Sequence, residues 1–191
     1  MSDNDAIPQP RRQLLISYLA AAAVGTHLLE AALPGLGPWF KPGLANTFTL
    51  VAFFRLGWQA AAGVALIRVL VGSIALGTFL SPTFFLSVSG AMGAVLTLGL
   101  LSGRSSCTAE PSAQRRVLGG FGVVGVSLLA SMAHISCQVL CAWFLIIGHA
   151  GIFLALPWFL LGAWATGIIN GLLAFLILER LARFTLLGEK R

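Results

Sequence analysis

KPGLANTFTLVAFFRLGWQAAAGVALIRVLVGSIALGTFLSPTFFLSVSG, from Lys41 to Gly90, is the stretch whose reading decides the fold. Its apolar segments are separated by Gly57 and by the Ser81-Pro82 break. Inside the middle segment stands one arginine, Arg68, about ten residues from either end of an otherwise uncharged run. Segments of this kind suit a bilayer, where a charge at mid-depth costs about 2.5–3.5 kcal/mol on insertion scales. A sequence this apolar keeps such a residue only if the residue has a partner or a task.

The rest of the chain agrees with that setting. Of its 191 residues 58% are hydrophobic and 9% charged, whereas soluble domains carry about 25% charged residues. There is too little polar surface to coat a soluble globule. The length suits one domain. Helices of about 20 residues are needed to span, and the polar gaps allow five to seven. The net charge of +6 comes from residues at segment ends, so it does not point to nucleic acid.

Spans are expected at 14–33, 44–56, 58–80, 83–101, 117–148 and 152–181, between polar tails at 1–13 and 185–191; the membrane domain is thus 14–184. The first segment reads as a retained span, not a cleaved leader, because no small-residue cleavage site follows it. The second is short, which a bilayer accepts if the segment is re-entrant or shielded by protein. The fifth is long enough to require tilt, or a bend near Gly122 to Gly125. The linker from Pro34 to Gly43, with three prolines and three glycines, breaks helix, and its Trp39 suits an interface. With both termini cytoplasmic, the inner segments collect Arg11, Arg12, Arg55, Arg104, Arg115, Arg116, Arg180, Arg183, Lys190 and Arg191. That is ten of the twelve Lys and Arg, with Lys41 outside and Arg68 within a span. This bias selects six spans in the inner membrane of the cell.

Orientation gives each polar residue a depth. His27 and Glu30 share a helix face at i, i+3 in the outer half of span one. Asn46 begins span two, Arg68 is near the middle of span three, and His134 and Gln138 lie above the middle of span five. These six, from four spans, fall at mid-to-outer depth and are the candidate substrate-binding residues. Asn170 is placed apart, on the inner side of span six. Two readings stand. Arg68 and Glu30 form a buried ion pair, or Arg68 is reserved for an anionic or polar ligand; intramembrane ionisable residues favour the second by default.

The three cysteines form no disulfide framework. Cys137 and Cys141 make HxxCxxxC with His134, but a fourth ligand is lacking, so no metal site is expected. The sequence has no Walker A motif, and its only aspartates are Asp3 and Asp5. A hard cation such as Mg²⁺ needs several carboxylate oxygens, so no enzymatic activity and no cofactor is expected of this chain alone.

GLAN (Gly43 to Asn46), LIRVLVGS (Leu66 to Ser73), GTFLSPTFFLSVSG (Gly77 to Gly90) and VVGVSLLASMAH (Val123 to His134), followed by Gln138, resemble the Gx transporter family, also described as heptaprenyl diphosphate synthase component I. That family is similar to the substrate-binding S components of energy-coupling-factor (ECF) transporters. The resemblance implies an all-α, six-helix polytopic membrane bundle with an outward pocket for a small-molecule substrate. It also implies partners: a transmembrane scaffold protein and cytoplasmic ATPases. In such proteins small residues on the first helix meet the scaffold, a role that falls here to Ala21 and Gly25. The expected function is a membrane substrate-binding or transport component for a small organic solute, anionic and isoprenoid- or cofactor-related. The alternative is a non-catalytic membrane subunit of a heptaprenyl diphosphate synthase in isoprenoid or quinone synthesis.

Overall fold

The computed structural model describes residues 9–32, 43–103 and 121–188. Its described residues form six α-helices: α1 (Gln9–Ala32), α2 (Ala45–Leu56), α3 (Trp58–Ala75), α4 (Pro82–Gly103), α5 (Val123–Ala142) and α6 (Leu156–Gly188). A π-helical turn (Trp143–Ile147) extends α5, and a 3-10 turn (Ala150–Ala155) leads into α6.

Five of these helices are long and apolar enough to cross a membrane. At about 1.5 Å per residue α6, with its 33 residues, reaches about 50 Å. α2 is the exception. Its 12 residues span about 18 Å against a hydrocarbon core of about 30 Å. It survives because it is inside: eight of its residues are buried, and it packs against α1, α3 and α6. The long helices carry the opposite pattern. Leu14, Tyr18, Leu100, Trp158 and Leu176 are all more than half exposed, with Trp158 at 75%. Apolar side chains on the outside of an all-helical bundle are what a lipid solvent requires. The chain is therefore a polytopic membrane protein.

Several expected boundaries move. α1 starts at Gln9, inside the stretch read as a polar tail. The third span stops at Ala75, not Leu80, because Gly77 adopts φ +67° and closes a Schellman motif: Thr78 N–H donates to Ser73 C=O at 2.8 Å and Gly77 N–H to Ile74 C=O at 3.1 Å. Gly122 is extended and caps the N-terminus of α5, so at Gly122 the chain starts a helix. The first tail at 1–8, the linker at 33–42 with Trp39, and the basic loop at 104–120 lie outside the described residues.

α2 and α3 form a tight antiparallel hairpin about Gly57, whose φ of +89° only glycine adopts easily. Arg12 at the start of α1 donates from Nη2 to Leu56 C=O at the hairpin's turn, 3.3 Å away. Trp58 Nε1 donates to Val95 C=O of α4 at 2.9 Å. An apolar core at this end joins Leu19, Leu50, Leu56, Val64, Leu98, Val126 and Leu178, so all six helices contribute to it.

Candidate functional site

At the other end of the bundle the packing opens. A cavity of about 250 Å³ is lined by His27 and Glu30 of α1, Gly43 and Asn46 at the start of α2, and Arg68 and Val69 of α3. α4 adds Thr83, Leu86 and Ser87, α5 adds Ser131, His134, Ile135 and Gln138, and α6 adds Thr166. His27, Glu30, Asn46, Arg68, His134 and Gln138 thus all face one space, although they come from four helices far apart in sequence.

The hairpin explains the centre of the site. Asn46 and Arg68 stand symmetrically about Gly57, eleven residues before and eleven after it, so antiparallel pairing sets them side by side. Arg68 Nη1 donates to Asn46 Oδ1 at 2.6 Å. Arg68 is only 6% exposed, and its Nε is buried with no hydrogen-bond partner on the protein. Its hydrogen bond therefore runs to a neutral amide, which orients the guanidinium without neutralising it. Glu30 Oε1 accepts from Leu44 N–H at 2.5 Å, at the N-terminus of α2, where a negative charge is favoured by the helix dipole. The Glu30 charge also acts on Arg68 through space.

The histidines owe their places to missing side chains on neighbouring helices. A Cβ built on Gly72 of α3 would lie 2.6 Å from His27 Cδ2. One built on Gly90 of α4 would lie 2.7 Å from His134 Nε2 and 2.8 Å from Gln138 Cγ. Each glycine leaves a notch that a ring fills, the small-residue packing expected between membrane helices. His134 turns its Nε2 edge to Gly90, and its Nδ1 is buried without a hydrogen-bond partner on the protein.

Asn170 corrects an expectation. It is not set apart at the inner side. Its Oδ1 accepts from Thr47 Oγ1 at 3.2 Å, and its Nδ2 donates to Gly43 C=O at 3.2 Å. It ties α6 to the start of α2, beside the cavity wall. The depth was misjudged because α6 starts at Leu156 and continues beyond residue 181, which moves its midpoint towards the C terminus.

Other lining residues carry signals that charge-based reading passes over. Ser131, His134 and Gln138 repeat at i, i+3 and i+7 on one face of α5. Thr83 and Ser87 sit one turn apart at the start of α4. A lone hydroxyl in a membrane helix carries little signal, since it can bond its own backbone, as Ser87 does to Thr83 C=O at 2.9 Å. Below the cavity is a second, small compartment of about 20 Å³, lined in part by Asn46, Thr49, Ser127 and Ser131.

Cys137 and Cys141 are free thiols; Cys137 Sγ lies against Gly93, and Cys141 Sγ lies 3.6 Å from Phe85 C=O. Among the described residues no group of three His, Cys, Asp or Glu is arranged to hold a metal. On α1, Ala20 and Ala23 pack inward, while Ala21 is exposed and a Cβ on Gly25 would meet nothing within 4 Å.

The model of one protein family, described as heptaprenyl diphosphate synthase component I, matches residues 19–177. No curated protein and no solved structure matches the chain.

Proposed function

This chain belongs to the heptaprenyl diphosphate synthase component I family, and from that premise we propose that it is a membrane substrate-binding component for transport of a small polar organic solute. The observation that carries this reading is the polar cavity with Arg68 in its wall. A buried guanidinium held by a neutral amide, with Nε unpartnered, has been desolvated at a cost that one hydrogen bond and the Glu30 charge acting through space offset only in part. An anionic group on a ligand supplies the missing compensation. His27, Glu30, Asn46, His134 and Gln138 give the ligand its further polar contacts. The topology that goes with this reading has six spans, both termini cytoplasmic and the cavity towards the outer face. The outward-facing Ala21 and Gly25 are the surface offered to a transmembrane scaffold partner, which cytoplasmic ATPases would drive.

The family's name favours a second reading, a subunit of a prenyl diphosphate synthase. On this reading the chain is a non-catalytic subunit: Asp3 and Asp5 are its only aspartates, and among the described residues Glu30 is the only carboxylate that lines the cavity.

Native mass spectrometry of the full chain from mild detergent separates the two. A retained small molecule, lost in Arg68→Ala, together with co-purifying ATPases and a membrane scaffold, is the expected result. Co-purification with a soluble prenyl synthase, and ligand retention indifferent to Arg68, would overturn it.

A further inference from the structure

The hydroxyls of the described cavity lining are not alike. Thr83 Oγ1 pairs with Ser81 Oγ at 2.7 Å, Ser87 donates to Thr83 C=O at 2.9 Å, and Thr166 donates to Ala163 C=O at 3.2 Å. Ser131 Oγ has no hydrogen-bond partner among the described residues, and neither has the Gln138 amide, two turns further along the same face of α5. Both residues are half-buried, and their polar atoms are not sealed in the packing as His134 Nδ1 is. A polar group carried into an apolar bundle without a bond is unfavourable, and a ligand in the cavity offsets that.

The base of the cavity and its far end differ in kind. Arginine only donates, so the 2.6 Å bond from Arg68 Nη1 fixes the Asn46 amide with Oδ1 towards the guanidinium. Arg68 Nη2 and Asn46 Nδ2 remain, two N–H donors with no hydrogen-bond partner among the described residues. Ser131 lies at the level of Asn46, since the two also line the small compartment below. This end therefore presents N–H and O–H donors beside a cation, which suits a carboxylate. Gln138 is about 10 Å further along α5. Its amide is uncharged and sets one acceptor beside one donor.

We infer that the cavity selects a compact amido acid, a molecule with one carboxylate for Arg68, Asn46 and Ser131 and an uncharged amide, lactam or ureide edge for Gln138. This rests on the ligand-binding reading above and narrows it. A cavity of about 250 Å³ lies at the small end of ligand pockets, which run from about 300 to 1,000 Å³. Val69, Leu86 and Ile135 also line it and suit the apolar body of a short chain or a single ring. An analogue without the N–H leaves Gln138 Oε1 unpaired, and sites built to hydrogen-bond a ligand group reject analogues that lack it strongly.

The test uses the full chain in lipid nanodiscs and pairs of probes matched in shape and charge. Succinamate is compared with levulinate, and 4-carbamoylbenzoate with 4-acetylbenzoate; in each pair a methyl group replaces the amide NH2. The expected result is that at least one amido acid binds about ten-fold or more tightly than its ketone. In Gln138→Met, which keeps an unbranched stem beside Gly90 and loses the amide, the preference shrinks to near parity. The wild-type comparison stands even if that variant folds poorly. Equal binding of amide and ketone, or a preference that survives Gln138→Met, with affinity still lost in Arg68→Ala, would overturn the amido-acid inference and leave the binding reading intact. Absence of binding by every probe would also overturn the inference. Joined to ligand retention indifferent to Arg68 in native mass spectrometry, it would overturn both.

Discussion

The two ends of this bundle are built from the same six helices and solve opposite problems. At the end marked by Arg12 and the Gly57 turn, Leu19, Leu50, Leu56, Leu98 and Leu178 interlock, and Trp58 lies in the notch left by Gly99. At the other end Gly72 and Gly90 leave comparable notches, filled by His27 and His134. The packing device is shared, a glycine on one helix receiving a ring from the next. What differs is the ring. Trp58 spends its one donor on Val95 C=O, whereas His134 keeps Nδ1 without a protein partner at the cavity. Small residues in a membrane helix therefore report close approach and say nothing of function; function is reported by what fills the notch and whether its polar atoms are satisfied.

The contrast breaks first at Arg68. Arg68→Ala is expected to weaken ligand binding by about 2–5 kcal/mol, the usual cost of truncating a desolvated charged contact, and to leave the apolar end folded. Ligand retention by native mass spectrometry, with thermal unfolding in the same detergent, measures both. Retention at the wild-type level would show that the guanidinium is structural. Next come the notches. Gly90→Val and Gly99→Val each overpack a helix contact and should each cost about 1–3 kcal/mol of stability. Only Gly90→Val should also impair binding, by displacing His134 and Gln138. Equal binding in the two variants would erase the distinction drawn between the ends. Asn170→Ala removes the link from α6 to Thr47 and Gly43, and a loss of about 1 kcal/mol in thermal stability is expected, near the usual worth of an interhelical hydrogen bond in a membrane.

The six residues of the polar end were named together in the sequence because the charge bias at the segment ends, read as an orientation, assigns His27, Glu30, Asn46, Arg68, His134 and Gln138 one expected level, and all six line one cavity; ion cost in lipid makes Arg68 conspicuous among them. Depth fixes one coordinate only. Whether Arg68 reached Glu30 or Asn46 depended on the hairpin at Gly57, a rotation about helix axes that no periodicity in so uniformly apolar a chain records. Thr83, Ser87, Ser131 and Thr166 were missed because a hydroxyl that can bond its own backbone carries little cost in lipid and so little signal. Asn170 was misplaced because its level was counted from span ends, and α6 exceeds the bilayer. The third span's end at Gly77 was written plainly, as a glycine followed by a proline a few residues on, but helix length was extrapolated from hydropathy, which does not see backbone stops.

The smallest predicted effect tests where one end gives way to the other. Thr49 is 4% exposed, its Oγ1 has no hydrogen-bond partner on the protein, and it lines the 20 Å³ compartment that shares Asn46 and Ser131 with the cavity. Threonine and valine have nearly the same shape, so Thr49→Val removes the hydroxyl and little else. If the compartment belongs to the dry end, deleting an unpartnered hydroxyl removes a desolvation cost, and stability should hold or rise, within about 0.5 kcal/mol, the ordinary range for a change that breaks no interaction. If it belongs to the polar end, its volume suffices for one water, which would bridge Thr49 to Ser127 or Ser131, and the variant should lose about 1 kcal/mol. The contacts favour the first outcome. Leu50 and Leu98 also line the compartment, and both belong to the apolar core, so the boundary runs between Asn46 and Thr49, within a single turn of α2.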